Sequence, residues 1–202
     1  MRHSTHHGTE TAQNVDLTRL AHDGVLQFFG RIVDSGLFLL HGSNVDRPSL
    51  VLEARQPFDV AKASGNRRAV YATANIHAAL IYATFNREHA LRVAGPFLAG
   101  EHIVADSIRF RVSPNLYSLF LAHDPDLFRD GFVSILNRSA FVRAERDDPA
   151  VDSTEYFSTQ NQAPVAICRV ARSVGQALLV AGRGEGDTVD PYTREQLAAA
   201  GW

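Results

Sequence analysis

The spacing of apolar residues changes about halfway along the chain, and this change most constrains the fold. In the segment 16–32 apolar side chains recur every three or four positions, which predicts an amphipathic helix. In the segment 108–112 apolar and charged side chains alternate, which predicts a half-buried strand. A helical first part followed by a strand-rich second part predicts an α+β domain in which sheets pack against helices.

Shorter patterns predict the remaining elements. The apolar run Leu37–Leu40 predicts a buried strand that ends at His41, and the run Ala69–Ala72 predicts a second, brief strand. The segment 76–93 contains neither Gly nor Pro and predicts one helix. Four later runs predict further strands: 131–136, 155–159, 165–170 and 177–181. Asp190-Pro191 is expected to open a terminal helix.

Composition favours one domain. With 202 residues and 45% apolar content the chain can bury a sizeable core. Its one cysteine, Cys168, excludes an internal disulfide and a Cys-based zinc site. Residues 1–14 are polar and His-rich, so we predict a disordered tail there and a single domain over 15–202. Metal binding by the tail histidines His3, His6 and His7 is the less favoured alternative.

Charge and hydropathy limit the expected partners. The formal net charge is −2, and the positive residues are scattered rather than clustered, so no nucleic-acid-binding signature is present. No segment has the eighteen or so consecutive apolar residues of a membrane span, and the N-terminus lacks a signal peptide's apolar core. We therefore predict a cytoplasmic protein with no membrane partner. The Gly-rich segment 182–186 opens no helix and is predicted to be a loop rather than a phosphate-binding turn.

Three segments together carry a resemblance to a known superfamily. They are Leu40-His41-Gly42-Ser43, then Val70-Tyr71-Ala72-Thr73 continuing to Ala79-Leu80-Ile81-Tyr82, and finally Glu155-Tyr156-Phe157 continuing to Gln162-Ala163. Their order and spacing resemble the His-Tyr-Glu branch of the ADP-ribosyltransferase superfamily, which contains diphtheria toxin and the poly-ADP-ribose polymerases. The resemblance spans most of the chain but depends on few residues.

The resemblance implies a fold and a set of site residues. The implied fold has two packed, antiparallel-rich sheets with flanking helices around an NAD cleft. NAD is implied as substrate and no metal is expected. Glu155 is the implied catalytic residue, while the implied NAD-binding residues are His41, Gly42, Ser43, Tyr71 and Tyr82. Tyr71 and Tyr82 would flank the nicotinamide ring, His41 would bind a ribose hydroxyl, and the Gly42 backbone would approach the carboxamide.

The chemistry explains why an acid is needed. Cleavage of the nicotinamide–ribose bond develops positive charge on the sugar, so a fixed carboxylate aimed at the sugar accelerates the reaction.

The sequence constrains the acceptor of ADP-ribose less than it constrains the catalytic residue. Many transferases of the superfamily that modify arginine, asparagine or some nucleic-acid bases carry Glu or Gln two positions before the catalytic Glu, whereas this chain has Ser153 there, which disfavours such targets. Carboxylates that could orient an acceptor are Asp124, Asp126 and Asp130, although Pro125 among them favours a solvated turn.

Several functions share these residues and stay open. The chain is expected to transfer ADP-ribose to an unknown macromolecular acceptor, as a toxin or effector does, and a cognate antitoxin or immunity protein would then be a partner. NAD glycohydrolysis, with water as acceptor, is one alternative. A non-catalytic module that binds NAD or ADP-ribose is another, and transfer onto an RNA 2′-phosphate is a further one.

Overall fold

The computed structural model describes residues 12–45, 48, 50–55, 68–104, 107–144, 154–181, 188–199 and 201–202. Within these residues the chain forms six helices and ten strands. The helices are α1 His22–Asp34, α2 Ile76–Thr84, α3 Arg87–Ala94, α4 Pro114–Leu121, α5 Arg172–Leu178 and α6 Arg194–Ala199. The strands are β1 Gln13–Asp16, β2 Phe38–Ser43, β3 Val70–Thr73, β4 Ala99–Val104, β5 Ser107–Val112, β6 Gly131–Asn137, β7 Val142–Arg143, β8 Glu155–Ser158, β9 Ala166–Val170 and β10 Val189–Pro191.

The strands form a large sheet and a small one. The large sheet has the order β1-β9-β6-β2-β3-β8-β7, and every neighbouring pair is antiparallel except β1 with β9. The small sheet has the order β10-β5-β4, with β10 and β5 parallel. The predicted α+β class is therefore confirmed, with a mostly antiparallel seven-stranded sheet at its centre.

Apolar side chains cover both faces of the large sheet. The larger core packs one face against the helices and includes Phe29 of α1, Leu40 of β2 and Leu80 of α2, all fully buried. A smaller core on the other face includes Leu39 and Tyr156. Leu39 and Leu40 enter different cores because successive side chains of a strand point to opposite faces. Burial of each large apolar side chain contributes about 1.5–3 kcal/mol to stability.

Three glycines allow helix α2 to approach its neighbours closely. A Cβ at Gly42 of β2 would overlap the Ala79 carbonyl oxygen, and a Cβ at Gly131 of β6 would overlap the Ala83 carbonyl oxygen. On the far side of α2, a Cβ at Gly175 of α5 would overlap the Thr84 hydroxyl. Helix α2 is thus seated directly on the backbone of β2 and β6 and beside α5.

The single helix predicted for 76–93 is wrong, because the segment forms two helices. Phe85 between them is extended, bridges to Phe128, and contacts the rings of Phe97, Phe120 and Phe128. Asn86 then begins α3, where its side chain accepts a hydrogen bond from the His89 amide. The aromatic contacts of Phe85 outweigh the local preference for a continuous helix.

Two other predicted elements are also wrong. The strand predicted for 177–181 does not form, because 177 and 178 end helix α5 and 179–181 belong to no helix or strand. The first amide of α5, that of Arg172, donates to Asp130 Oδ1 at 3.0 Å. Pro191 does not open the terminal helix, because it lies in strand β10, and the Tyr192 amide after it donates to the Val112 carbonyl. Pairing with β5 therefore delays the terminal helix until Arg194.

The N-terminal boundary also differs from the prediction. Gln13 and Asn14, assigned to the tail by composition, belong to strand β1, which pairs with β9, and the first helix consequently begins at His22 rather than near residue 16. Residues 1–11, with the three tail histidines, lie outside the described residues, as do Ser153 and the segment 182–186. In the described part of the chain, no helix combines the length and apolar character needed to cross a membrane.

Candidate functional site

Strand pairing brings the predicted acid close to the predicted histidine. Leu40 of β2 pairs with Thr73 of β3, and Thr73 pairs with Glu155 of β8. Neighbouring strands lie about 4.8 Å apart, so the Glu155 Cα lies on the order of 10 Å from the Leu40 Cα, next to His41. Residues separated by more than a hundred positions therefore meet in one part of the sheet.

Strands β3 and β8 have one buried face and one half-buried face. Their alternate residues Val70, Ala72, Tyr156 and Ser158 are buried. The intervening residues are partly accessible: Tyr71, Thr73, Glu155 and Phe157. Paired residues of neighbouring strands share a face, so these four side chains line the same surface. We call this surface the β3–β8 floor.

Helix α2 stands beside the β3–β8 floor and carries Tyr82. Ala79 and Ala83 contact the sheet at Gly42, and Thr84 contacts α5, which follows β9 and so lies on the β9 side of α2. Tyr82 is two residues from Thr84, so its side chain leaves the helix roughly 200° away from that of Thr84, on the side of α2 that faces away from α5. Its side chain is 65% exposed. The floor and Tyr82 together form a candidate cleft.

The large sheet opens between β2 and β3. Strand β2 pairs with β6 along all six of its residues, whereas the described ladder between β2 and β3 contains only the pair Leu40 and Thr73. Beyond that pair a side chain links the two strands: Nδ1 of the His41 ring on β2 lies 2.7 Å from the carbonyl oxygen of Tyr71 on β3. A carbonyl only accepts hydrogen bonds, so Nδ1 carries the proton and Nε2 of the neutral ring is an acceptor.

His41 and Glu155 approach this opening from different sides. Leu40 shares a face with Glu155, and His41 is the next residue along β2, so its side chain leaves the strand on the opposite face. Its ring nevertheless reaches the Tyr71 backbone. The structure thus brings Tyr71 and Glu155 to one face of the sheet and places His41 at the opening beside them. Tyr82 lies on helix α2, which packs on that same face at Gly42.

The backbone of Gly42 is directed at the same opening. The Arg138 amide donates to the carbonyl of Leu37, the residue before β2. The N–H and C=O groups of odd-numbered residues in β2 therefore point toward β6. Peptide groups alternate between the two neighbours of a strand, so the N–H and C=O of Gly42 face β3, beyond the single pair. Ser43 follows, half-buried, and pairs with Phe132 of β6.

Comparison of the chain with known proteins assigns it to no family. The chain matches no protein-family model, and no curated protein or solved structure is significantly similar to it. The functional argument therefore depends on the residues and their geometry.

Two of the three candidate acceptor-orienting aspartates, Asp124 and Asp130, have carboxylates with structural partners, whereas the bonds of Asp126 are made by its backbone. Asp124 accepts a hydrogen bond from His89 Nε2 at 2.9 Å and from the Asp126 amide at 2.9 Å. Asp130 accepts from the Arg172 amide and from the Arg169 side chain. These bonds connect α3 and α5 to the loop between α4 and β6, as expected for a turn.

One group of described residues has suitable atoms for a metal ion, namely His89, Asp124 and Asp126, whose candidate ligand atoms all lie within 4.8 Å of one another. The other ring nitrogen of His89, Nδ1, lies 3.0 Å from the Arg92 guanidinium, so both ring nitrogens have partners. An adjacent guanidinium also disfavours a cation. The buried thiol of Cys168 is equally unsuited to chemistry, because burial raises its pKa to about 12.

Acidification should affect the site through His41. Burial lowers the pKa of His41 below 6.5, although the hydrogen bond to Tyr71 partly opposes the shift. The unfolded chain therefore binds a proton near pH 6.5 while the folded ring stays neutral, so stability is lost as the pH falls from 6.5 toward the folded pKa. We expect the free energy of unfolding to fall over this window by at most about 1.4 kcal/mol per pH unit for this one proton.

Urea unfolding of the wild type and of His41→Gln at pH 7 and pH 5.5 measures this contribution. The variant should lose less stability on acidification than the wild type. His77, whose pKa burial also lowers, contributes equally to both proteins and cancels in the comparison. An identical loss in both proteins would contradict the assignment.

Proposed function

We propose that the chain is an NAD-dependent ADP-ribosyltransferase that cleaves the nicotinamide–ribose bond and transfers ADP-ribose to a macromolecular acceptor, on an ADP-ribosyltransferase-like fold. The observation that carries this proposal is the pairing of Leu40 with Thr73 and of Thr73 with Glu155. This pairing supports the proposal because it sets the strands that carry His41, Tyr71 and Glu155 side by side, with the acid and the histidine on either side of the opening between β2 and β3.

Glu155 has the electrostatic role in this proposal. It lies on the partly accessible β3–β8 floor, where a carboxylate can meet a bound sugar. As the nicotinamide leaves, the ribose becomes cationic, and the carboxylate stabilises that charge while accepting a hydrogen bond from a ribose hydroxyl. A nucleophile of the acceptor then bonds to the sugar carbon that the nicotinamide has left, and the nucleophile's proton is released to water.

The remaining residues position NAD. In this proposal the nicotinamide ring would lie between the aromatic faces of Tyr71, which is partly accessible on the floor, and Tyr82, which is exposed on α2. The N–H and C=O of Gly42 match the acceptor and donor of a primary carboxamide. His41 Nε2 accepts a hydrogen bond from a hydroxyl of the other ribose when its ring is neutral, which the lowered pKa favours.

Incubation of the protein with NAD labelled in its adenylate half tests the proposal. We expect release of free nicotinamide and transfer of label to a macromolecule in a cell lysate. Nicotinamide release with label found only in ADP-ribose would indicate a glycohydrolase. NAD binding without nicotinamide release would indicate a binding module, and absence of both binding and release would exclude the NAD-based functions together.

Replacement of Tyr82 tests the positioning role. Tyr82→Ala should weaken NAD binding by about tenfold, because stacking of a flat ring on an aromatic side chain contributes roughly 1–3 kcal/mol. Tyr82 is 65% exposed, so we expect the variant to fold. Isothermal titration with NAD gives the affinity, and Val93→Ala on α3, which removes another exposed apolar side chain, is the matched control. Equal affinity of the Tyr82 variant and the wild type would remove Tyr82 from the site.

A further inference from the structure

Thr73 lies directly opposite the proposed catalytic acid. The two residues are register partners on β3 and β8, and both belong to the partly accessible β3–β8 floor. Side chains of directly paired residues have Cβ atoms about 4.5–5.5 Å apart. A ligand group that meets the Glu155 carboxylate is therefore within reach of the Thr73 hydroxyl.

A neighbouring amide fixes the direction of this hydroxyl. The Asn75 N–H donates to Thr73 Oγ1 at 2.9 Å, and the Asn75 side chain in turn accepts from the Ala78 amide at the start of α2. A hydroxyl has one hydrogen and two lone pairs, and the Asn75 bond occupies one lone pair. Within the described residues the Thr73 hydroxyl is recorded only as an acceptor, so its hydrogen is available to a ligand.

We propose that Thr73 and Glu155 together bind the two adjacent hydroxyls of a ribose, with Glu155 as acceptor and Thr73 as donor. This inference rests on the proposed function and extends it, because it names the sugar diol as the recognised group. Each hydroxyl of a cis-diol is both donor and acceptor, so one can donate to the carboxylate while the oxygen of the other accepts from Thr73. With two contacts the orientation of the ribose ring is fixed, whereas with one contact the ring could still rotate about that hydrogen bond.

The pairing predicts a preference among sugars. A nucleotide that lacks the hydroxyl facing Thr73 leaves the donor without a partner and loses one hydrogen bond. A net hydrogen bond of this kind corresponds to a change in affinity of up to about tenfold. A site in which only Glu155 contacted the sugar would discriminate against the loss of one hydroxyl and tolerate the loss of the other.

Affinities of three ligands for three proteins test the inference. The ligands are NAD and its two analogues that lack the 2′- or the 3′-hydroxyl of the nicotinamide ribose, and the proteins are the wild type, Thr73→Val and Thr73→Ser. We expect Thr73→Val to bind NAD about tenfold more weakly and Thr73→Ser to bind it within about threefold of the wild type. For one deoxy analogue, wild type and Thr73→Val should bind equally, because the contact is already absent.

Each outcome distinguishes the two proposals. Failure of the wild-type protein to bind NAD overturns the proposed function, and this inference with it. Suppose that the wild type binds NAD. If Thr73→Val then loses the same affinity for all three ligands, or loses none, the role of Thr73 is overturned while the proposed function stands. If Thr73→Val fails to fold, the wild type decides the question, because it must bind both deoxy analogues more weakly than NAD.

A second threonine provides the matched control. Thr193 Oγ1 also accepts a backbone amide at the start of a helix, that of Gln196 at 3.3 Å, but it lies after β10 of the small sheet. Thr193→Val should therefore leave all three affinities unchanged. Thermal unfolding of both valine variants measures how much stability is lost with such a capping bond. Comparison of their affinities then separates this loss of stability from a loss of ligand contact.

Discussion

Replacement of Glu155 by Gln is expected to reduce nicotinamide release from NAD about 100-fold or more. The substitution retains the shape of the side chain and removes its negative charge, and loss of one preorganised electrostatic contact in an active site has an effect of this order. The fall should appear in kcat rather than in the affinity for NAD, because the carboxylate acts mainly on the cationic sugar of the transition state. Single-turnover release of nicotinamide, with NAD affinity measured separately, gives both quantities.

The control for this prediction is Glu53→Gln. Glu53 is an exposed acid whose recorded partner is the adjacent surface residue Arg55 at 3.1 Å. Exposed ion pairs contribute little to stability, so this variant should fold and turn over normally. Full turnover by Glu155→Gln would exclude Glu155 from the mechanism, and full turnover by both variants would move the search for the acid elsewhere.

Replacement of Gly42 by Ala is expected to destabilise the fold strongly. A Cβ there would overlap the Ala79 carbonyl oxygen and lie 2.8 Å from the Ala83 amide nitrogen, both on the backbone of α2. Backbone atoms of a buried helix cannot move aside individually, so α2 must shift from the sheet. We expect a loss at or above the upper end of the roughly 1–3 kcal/mol typical of overpacking, measured by urea unfolding.

Two further glycines bracket this result. Gly131→Ala should be similarly destabilising, since its added Cβ would overlap the Ala83 carbonyl oxygen of the same helix. Gly30→Ala, in the middle of α1 with no atom within 4 Å of the added Cβ, should be neutral or stabilise the protein by up to about 1 kcal/mol. Equal stability of Gly42→Ala and Gly30→Ala would contradict the close seating of α2.

Local sequence patterns predicted the parts of the fold where local and tertiary preferences agree. Strands β2, β3, β6, β8 and β9 were all anticipated within a few residues, because short apolar runs bounded by turn residues are typical of buried strands. The prediction failed at Phe85, where ring contacts with distant phenylalanines break a helix, and at α5, where Asp130 and Gly175 favour a helix in an apolar segment. These contacts join residues far apart in sequence, so no local pattern reveals them.

The candidate site was predictable in its residue types but not in its arrangement. The order of His41, Tyr71 and Glu155 in sequence indicated three strands, and the structure places those strands side by side. The opposite orientations of His41 and Glu155 follow from the register, which the sequence does not state. Thr73 was missed for the same reason, because an isolated threonine in a short strand is ordinary until its partner across the sheet is known.

The single residue pair between β2 and β3 divides the large sheet into unequal parts, one of four strands and one of three. Along this boundary the continuous ladder of an ordinary sheet is reduced to one rung and the bond from His41 to Tyr71. In the proposed function, NAD bound at this boundary would contact both parts of the sheet, which otherwise share the smaller core around Leu39 and Tyr156. Its contacts would stand in for the backbone pairing that is missing between the strand of His41 and the strands of Tyr71 and Glu155, so substrate binding should stiffen the sheet where the proposed acid and the histidine meet.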